Sequence, residues 1–247
     1  MEDEIPLGKS VPYPEQYSPE LLFEVPRADQ RVRLGLSGEL PFQGIDIWNA
    51  WELSWLNHDG KPMCATAEIR VPADSPNIIE SKSLKLFLNS LAMTHYASRS
   101  DVAETLEQDL SDCAGADVDV LLHDLAAGKS PGIVSLPGDC LDALQIKCDF
   151  DELAPQPALL QADVDDIVTE SLYTDLLRSL CPVTSQPDMG SVLVTYTGPR
   201  IDRESLLRYI VSYRQHEDFH ESCVEKMFID IMGRCQPSAL TVYARYN

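Results

Sequence analysis

The order of predicted secondary-structure elements is the same in both halves of the chain, and this repeat restricts the fold more than any other feature. Strands are indicated by alternating apolar and polar residues, and helices by apolar residues three and four positions apart. A turn signal at 58–62 joins the first two strands as an antiparallel hairpin, and the second helix is predicted to begin at Asp101, a good capping residue. The first half therefore contains two strands, two helices and a third strand, at residues 45–57, 63–71, 83–98, 101–113 and 116–125.

The second half repeats this order of elements, with strands, helices and a last strand predicted at 164–177, 191–197, 202–215, 217–235 and 239–246. A stretch containing glycine and proline at 128–138 separates the two halves. Residues 1–40 contain several prolines and little periodicity, which indicates an extended arm. The sequence thus predicts an α+β protein with two similar domains, 41–135 and 136–247, that arose by duplication.

Acidic residues are in large excess. The 247 residues include 40 Asp and Glu but only 19 Lys and Arg, which gives a formal net charge of -21. Such a surface repels phosphate backbones and anionic lipids, so no binding to nucleic acid or membrane is expected. Seven cysteines, an odd number without a CxxC pair, do not indicate a disulfide framework. Since neither a secretory signal nor an apolar run of about 20 residues is visible, we expect a soluble cytoplasmic protein.

Cys181 lies in the segment with the strongest catalytic character. Two prolines and several small polar residues predict a rigid loop over 180–188, which presents one thiol and, seven residues later, the carboxylate of Asp188. A nucleophilic cysteine must be deprotonated and then needs a proton donor for the group it attacks, and an aspartate can serve in both steps. The alternative is a buried cysteine that packs as a small hydrophobic residue.

A second polar cluster, at 215–225, contains His216, His220 and Cys223. On one continuous helix these side chains would share a face, which makes a zinc site a reasonable hypothesis. No second group of ligands completes such a site. The alternative is a helix start whose acidic residues favour the positive helix end and whose His220 packs against its neighbours.

Glu80 stands where a predicted strand meets a predicted helix, in the segment 78–87. Its carboxylate could accept two hydrogen bonds from the amidine-like edge of a purine, while Ser81, Lys82 and the first helical amides would suit a phosphate. The alternative is an ordinary solvated helix start. The sequence contains neither a Rossmann glycine motif nor a P-loop motif, so a cofactor site of either kind is not supported.

Three segments together resemble one family, the NADPH-dependent 7-cyano-7-deazaguanine reductases, which are the nitrile reductases of queuosine biosynthesis. The segment Glu80-Ser-Lys-Ser-Leu-Lys-Leu-Phe87 resembles the family's signature, and Cys181-Pro-Val-Thr-Ser-Gln-Pro-Asp188 resembles its catalytic loop. The segment Phe219-His-Glu-Ser-Cys223 resembles its substrate-binding helix. The resemblance covers nearly the whole chain and is greatest to the long, two-domain form. It implies two tandem tunnelling-fold domains, each an antiparallel sheet with two helices on one face, and a homodimer.

The resemblance also implies a reaction, the reduction of the nitrile of 7-cyano-7-deazaguanine to the aminomethyl group of 7-aminomethyl-7-deazaguanine. Cys181 is expected to attack the nitrile carbon and form a covalent thioimide, and Asp188 to protonate the nitrogen and help deprotonate the thiol. NADPH would supply the hydrides. The resemblance implies substrate binding by Ile79, Glu80, Ser81, Phe219, His220 and Glu221, cofactor binding by Ser81 and Lys82, a catalytic position for His220, and no metal site.

The chain departs from the family's pattern at its end. In the family a further strand with an Arg-Arg-Gly-Gly stretch contributes to NADPH binding, whereas this sequence ends at Asn247, so we expect the second domain to lack its last strand.

Two other functions agree with parts of the sequence pattern. A zinc-dependent pterin-type cyclohydrolase would be distinguished by its metal content, and a non-catalytic purine-binding module by the absence of a covalent bond to its ligand.

Overall fold

The computed structural model describes residues 16–125, 134–148 and 154–246. The chain divides into two compact units, Met1–Gly132 and Ile133–Asn247, and each unit has its own sheet, helices and hydrophobic core. Residues 1–15 of the predicted arm and residues 128–133 of the predicted linker lie outside the described residues. Within the described ranges, no helix is both long enough and apolar enough to span a bilayer.

The first unit is built on the predicted hairpin, which consists of β2 (Ile45–Leu56) and β3 (Pro62–Pro72). A third strand, β5 (Asp119–His123), pairs antiparallel with β3 on the side away from β2. Two short strands, β1 (Glu24–Pro26) and β4 (Asn77–Ile79), form a separate antiparallel pair. Alternation along β3 buries every second side chain, namely Ala65, Ala67, Ile69 and Val71.

Two long helices cover this sheet, α2 (Ser81–Ser90) and α3 (Arg99–Ala114), and fully buried apolar residues of both lie in the first core. Helix α3 begins two residues earlier than predicted because Ser98, not Asp101, is its N-cap. Asp101 instead completes a reciprocal capping box with Ser98. The helix ends at Gly115, whose φ of 71° lies in the left-handed region.

The predicted extended arm contains a helix, α1 (Arg27–Arg33). Proline spacing did not reveal this helix because its position depends on a distant contact: the buried Arg27 side chain forms an ion pair with Asp46 of β2 and donates to the Ser75 hydroxyl. A buried charge must be paired, so this contact fixes where the helix starts.

The second unit contains a four-stranded sheet and two helices. The elements are β6 (Asp139–Cys140), β7 (Ala162–Leu180), β8 (Pro187–Ile201), α4 (Arg203–Val211), α5 (His220–Cys235) and β9 (Ala239–Tyr246). The strand order is β6-β7-β8-β9, in which the long strands pair antiparallel with one another and only the two-residue β6 is parallel to β7. Both helices pack on one face, where they bury Tyr209, Met227 and Ile231 against the sheet, while the other face carries the hydroxyl pair Ser171–Thr195 at 2.8 Å.

Candidate active site

Cys181 lies at the tip of the hairpin formed by β7 and β8. Strand pairing places Ser179 opposite Asp188 and continues to Leu180, which lies opposite Pro187. The amide of Cys181 donates to the carbonyl of Gln186 at 2.9 Å. Directly opposed residues of an antiparallel pair share a face, and Ser179 and Asp188 are such a pair. Cys181, whose thiol is partly exposed, follows at the hairpin tip, just beyond the end of β7 at Leu180.

Asp188 is the second residue of β8, whereas the sequence predicted that it belongs to the loop. The loop is shorter than predicted because Pro187 occupies the first position of the strand, where the missing amide of proline is tolerated. Strand pairing continues on both sides of Asp188, so the backbone that carries this carboxylate is held by the sheet.

The hairpin tip is attached to the segment that precedes α5. The amide of Leu180 donates to the carbonyl of His216 at 2.8 Å, and the amide of Asp218 donates to the carbonyl of Leu180 at 3.2 Å. The hydroxyl of Ser185 donates to Oε1 of Glu217 at 2.8 Å. Ser185 has a φ of 53°, which is uncommon for a residue other than glycine. These contacts hold the hairpin tip beside the start of α5.

The first residue of α5 is His220, and its Nε2 lies 3.1 Å from Oδ2 of Asp188. The two side chains are 34% and 26% exposed, so they can meet a ligand and are also shielded from part of the solvent. A carboxylate at hydrogen-bond distance holds the imidazole ring in place. The geometry thus provides a carboxylate–imidazole pair that can deliver or accept a proton at the end of the hairpin that carries Cys181.

Phe219 and Glu221 flank His220 at the start of α5. Phe219 is the N-cap residue and makes no side-chain hydrogen bond to the helix, and Glu221 lies in the first turn, where the positive helix end favours a carboxylate. Both residues are half-buried. The structure therefore brings the predicted substrate-binding residues of the second unit to the hairpin that carries Cys181.

In the first unit, Glu80 is the N-cap of α2 rather than a solvated residue at a helix start. Its residue exposure is 1%, and its two carboxylate oxygens accept the amides of Lys82 at 2.9 Å and Ser83 at 2.8 Å. The predicted use of these helical amides for a phosphate is wrong, since Glu80 already occupies them. Its carboxylate is nevertheless fixed in one orientation, with Oε1 also accepting the Ser81 hydroxyl at 3.4 Å and Oε2 keeping a second lone pair.

The neighbours of Glu80 differ in accessibility. The side chain of Ile79 is 1% exposed and packs in the first core, so only its backbone could line a site. Ser81 is exposed and borders a cleft of about 340 Å³ between β2 and α2, which Trp51 and Leu84 also line. Lys82 is half-buried in the first turn of α2.

His216, His220 and Cys223 do not share a helix face, because α5 begins only at His220. His216 lies in the extended segment before the helix, with its Nε2 3.6 Å from Oδ2 of Asp218, and Cys223 is fully buried. No cluster of three or more potential metal ligands occurs in residues 16–125, 134–148 and 154–246. The arrangement on which the zinc hypothesis depended is therefore wrong.

Sequence patterns did not reveal Tyr246, whose ring stacks on the imidazole of His220 with ring centroids 3.8 Å apart and planes 2° from parallel. The two residues are brought together by the pairing of β8 with β9, in which Tyr246 lies opposite Gly190. This register depends on the whole sheet, and no local motif in the sequence indicates it.

Two family profiles match the chain. The profile described as the N-terminal region of nitrile reductase, 7-cyano-7-deazaguanine reductase, matches residues 13–122, a range that contains Glu80, Ser81 and Lys82. The profile described as QueF-like protein matches residues 187–247, a range that contains Asp188 and α5. The chain belongs to the 7-cyano-7-deazaguanine reductase family. Together the matched ranges cover well over half of the sequence, and Cys181 lies between them.

Membership in the 7-cyano-7-deazaguanine reductase family confirms the predicted resemblance and the predicted fold class. The family consists of nitrile reductases of queuosine biosynthesis that act on 7-cyano-7-deazaguanine. The two profiles correspond to the two tandem tunnelling-like domains of an α+β protein with antiparallel sheets. The chain is thus an enzyme of the nitrile reductase family.

Proposed function

We propose that this chain reduces the nitrile of 7-cyano-7-deazaguanine to the aminomethyl group of 7-aminomethyl-7-deazaguanine, with NADPH as reductant and a covalent thioimide on Cys181. One observation carries the proposal beyond family membership. The Asp188–His220 pair, with Nε2 and Oδ2 3.1 Å apart, lies at the same end of the β7–β8 hairpin as the partly exposed Cys181. This arrangement supports a nucleophile that works with groups able to move protons.

The chemistry explains why a thiol is needed. A nitrile is a poor hydride acceptor, whereas a protonated carbon–nitrogen double bond that bears sulfur is electrophilic, so covalent activation replaces one difficult step by easier ones. In the first step the sulfur of Cys181 bonds to the nitrile carbon, one π bond of the nitrile breaks, and the thiol proton ends on the nitrogen. Asp188 takes the proton from the thiol and passes it to the nitrogen, and His220 holds and exchanges protons with this carboxylate.

Glu80 and Glu221 are proposed to recognise the donor edge of the deazaguanine. The Glu80 carboxylate is fixed by two amides and so has little orientational freedom to lose on binding. Phe219 and His220 stand beside the Cys181 hairpin, where the nitrile must lie. In the first unit, Ser81 and the backbone of Ile79 are proposed to contact the substrate beside Glu80.

The residues at the start of α2 offer some of the hydrogen-bond donors that an anionic dinucleotide needs. Lys82 offers an ammonium group and Ser81 an exposed hydroxyl, which are donors suited to phosphate oxygens, while the α2 amides are already used by Glu80. Ser81 and Lys82 would therefore hold NADPH through side chains. Two molecules of NADPH, bound one after the other, would each supply one of the two hydrides that this four-electron reduction requires.

A homodimer in a reducing cytoplasm is proposed as the setting of this reaction. All seven cysteines are free, which suits a reducing compartment and keeps the Cys181 thiol available. The proposed dimer is the smallest closed oligomer consistent with the family resemblance.

The proposal is tested by measuring NADPH consumption and the appearance of the primary amine product with 7-cyano-7-deazaguanine. Replacing Cys181 by Ala is expected to lower the rate by roughly three orders of magnitude or more, as is usual for loss of a nucleophile. The matched control is Cys64→Ala, which removes an exposed cysteine from β3 and should leave the rate unchanged. Equal rates for Cys181→Ala and the unmodified chain would overturn the mechanism.

A further inference from the structure

Tyr246 touches the Asp188–His220 pair without belonging to any motif that the family resemblance assigns. Its ring lies parallel to the imidazole of His220 at a centroid distance of 3.8 Å, with an angle of 2° between the planes. His220 in turn contacts Asp188 through its Nε2 at 3.1 Å. One face of the imidazole is therefore covered by an aromatic ring, while its edge meets the carboxylate.

Gly190 provides the space for this ring. It lies opposite Tyr246 in the β8–β9 pairing and two residues after Asp188, on the same face of β8. A methyl group at position 190 would come within 2.7 Å of the carbonyl oxygen of Arg245 and 3.2 Å of Cδ1 of Tyr246. The absence of a side chain here allows the Tyr246 ring to cross β8 and reach His220.

The hydroxyl of Tyr246 is buried beside the Ser179 hydroxyl and the Cys223 thiol. Burial raises the pKa of Tyr246 well above its ordinary value, so the phenol stays neutral. The ring of Tyr246 contributes stacking and packing, which do not depend on its hydroxyl.

We propose that Tyr246 is a positioning residue whose ring holds the imidazole of His220 in the orientation that meets Asp188. The ring restricts rotation of the imidazole about its side-chain bonds, so Nε2 remains directed at the carboxylate. The stacking of Tyr246 on His220 is observed within the second unit. Its consequence for proton delivery to the nitrile rests on the proposed function.

The contact is tested by the NMR signals of the His220 ring in the uncomplexed chain, assigned with a His220→Gln variant. A ring stacked at van der Waals distance shifts the carbon-bound protons of the imidazole upfield. Tyr246→Phe is expected to preserve this shift, and Tyr246→Leu to abolish it. Tyr243→Leu is the matched control, because it makes the same change on the opposite face of β9. If Tyr246→Leu does not fold, Tyr246→Met replaces it, since Met fills the volume without an aromatic ring.

The consequence is tested by the rate of covalent adduct formation with 7-cyano-7-deazaguanine at saturating and at limiting concentrations. Tyr246→Leu is expected to lower the saturated rate by roughly 10-fold or more and leave the half-saturating concentration nearly unchanged, while Tyr246→Phe restores the rate. Wild-type shifts and rates in Tyr246→Leu would overturn the proposal. If the unmodified chain forms no adduct, the proposed function fails, and the imidazole shifts alone decide whether Tyr246 positions His220.

Discussion

Proton transfer at the hairpin depends on Asp188, so its replacement by Asn isolates the carboxylate's contribution. Asn keeps the shape of the side chain but removes its charge and its basicity. The rate of adduct formation at Cys181 should fall by about 100-fold or more, the usual contribution of a positioned acid or base. Stability should change little, because a partly exposed contact between polar side chains contributes at most about 1 kcal/mol.

The control for Asp188→Asn is Asp59→Asn, since the Asp59 side chain is 84% exposed in a turn of the first unit. Both rates are measured by intact mass as a function of time. An Asp188→Asn rate within a factor of a few of the control would contradict the role of this carboxylate.

The cysteines are expected to differ in reactivity according to burial. Burial raises the pKa of the Cys223 thiol, and raises that of Cys235 to about 11, so both remain protonated near neutral pH and react slowly with alkylating agents. Saturating 7-cyano-7-deazaguanine should protect Cys181 from iodoacetamide, whereas the exposed Cys64 and Cys140 stay reactive. Peptide mass mapping would show this, and equal labelling of Cys181 with and without the nitrile would argue against its role.

At the scale of elements, helix α2 depends on an unusual cap. Glu80→Ala removes both acceptors of the first helical amides inside a buried site, so the free energy of unfolding should fall by about 1–2 kcal/mol even without ligand. Urea denaturation measures this loss. Glu52→Ala is the control, because its side chain is 79% exposed on β2. Equal stabilities for the two variants would show that Glu80 does not hold the helix.

Most elements could be predicted because their signals are local. The alternation of β3 and the helical spacing of α5 are each contained in a short window. The cap on α2 could not be foreseen, since Glu is rarely an N-cap residue and becomes one here only because Glu80 is buried. The sequence pattern predicts the start of α5 three residues too early, at 217 instead of His220, because it does not show a contact with a distant strand. Pairing of Leu180 with the segment before the helix holds that segment in extended form.

The candidate site could be predicted in part. Cys181, Asp188 and His220 were found because they belong to motifs of a resembled family, and the structure places Asp188 and His220 in contact. The contribution of Tyr246 could not be found, since it depends on a strand register between residues more than fifty positions apart. Sheet register is fixed by packing of the whole face rather than by a local pattern.

At the scale of the whole molecule, the net charge of -21 makes self-repulsion an important term. Raising the concentration of sodium chloride from about 0.01 M to about 0.15 M shortens the screening length from about 30 Å to about 8 Å. The thermal unfolding midpoint should therefore rise over this range. Potassium chloride should have the same effect, since screening depends on ionic strength, and a midpoint that falls would contradict the argument.

The central claim is that Cys181 adds to the nitrile. The most direct test is the intact mass of the chain after incubation with 7-cyano-7-deazaguanine in the absence of NADPH, beside the Cys181→Ala variant. The account predicts a gain equal to the whole substrate mass in the unmodified chain and no gain in the variant, because addition to a nitrile releases no leaving group. An unchanged mass in the folded chain, or an equal gain in Cys181→Ala, would contradict it.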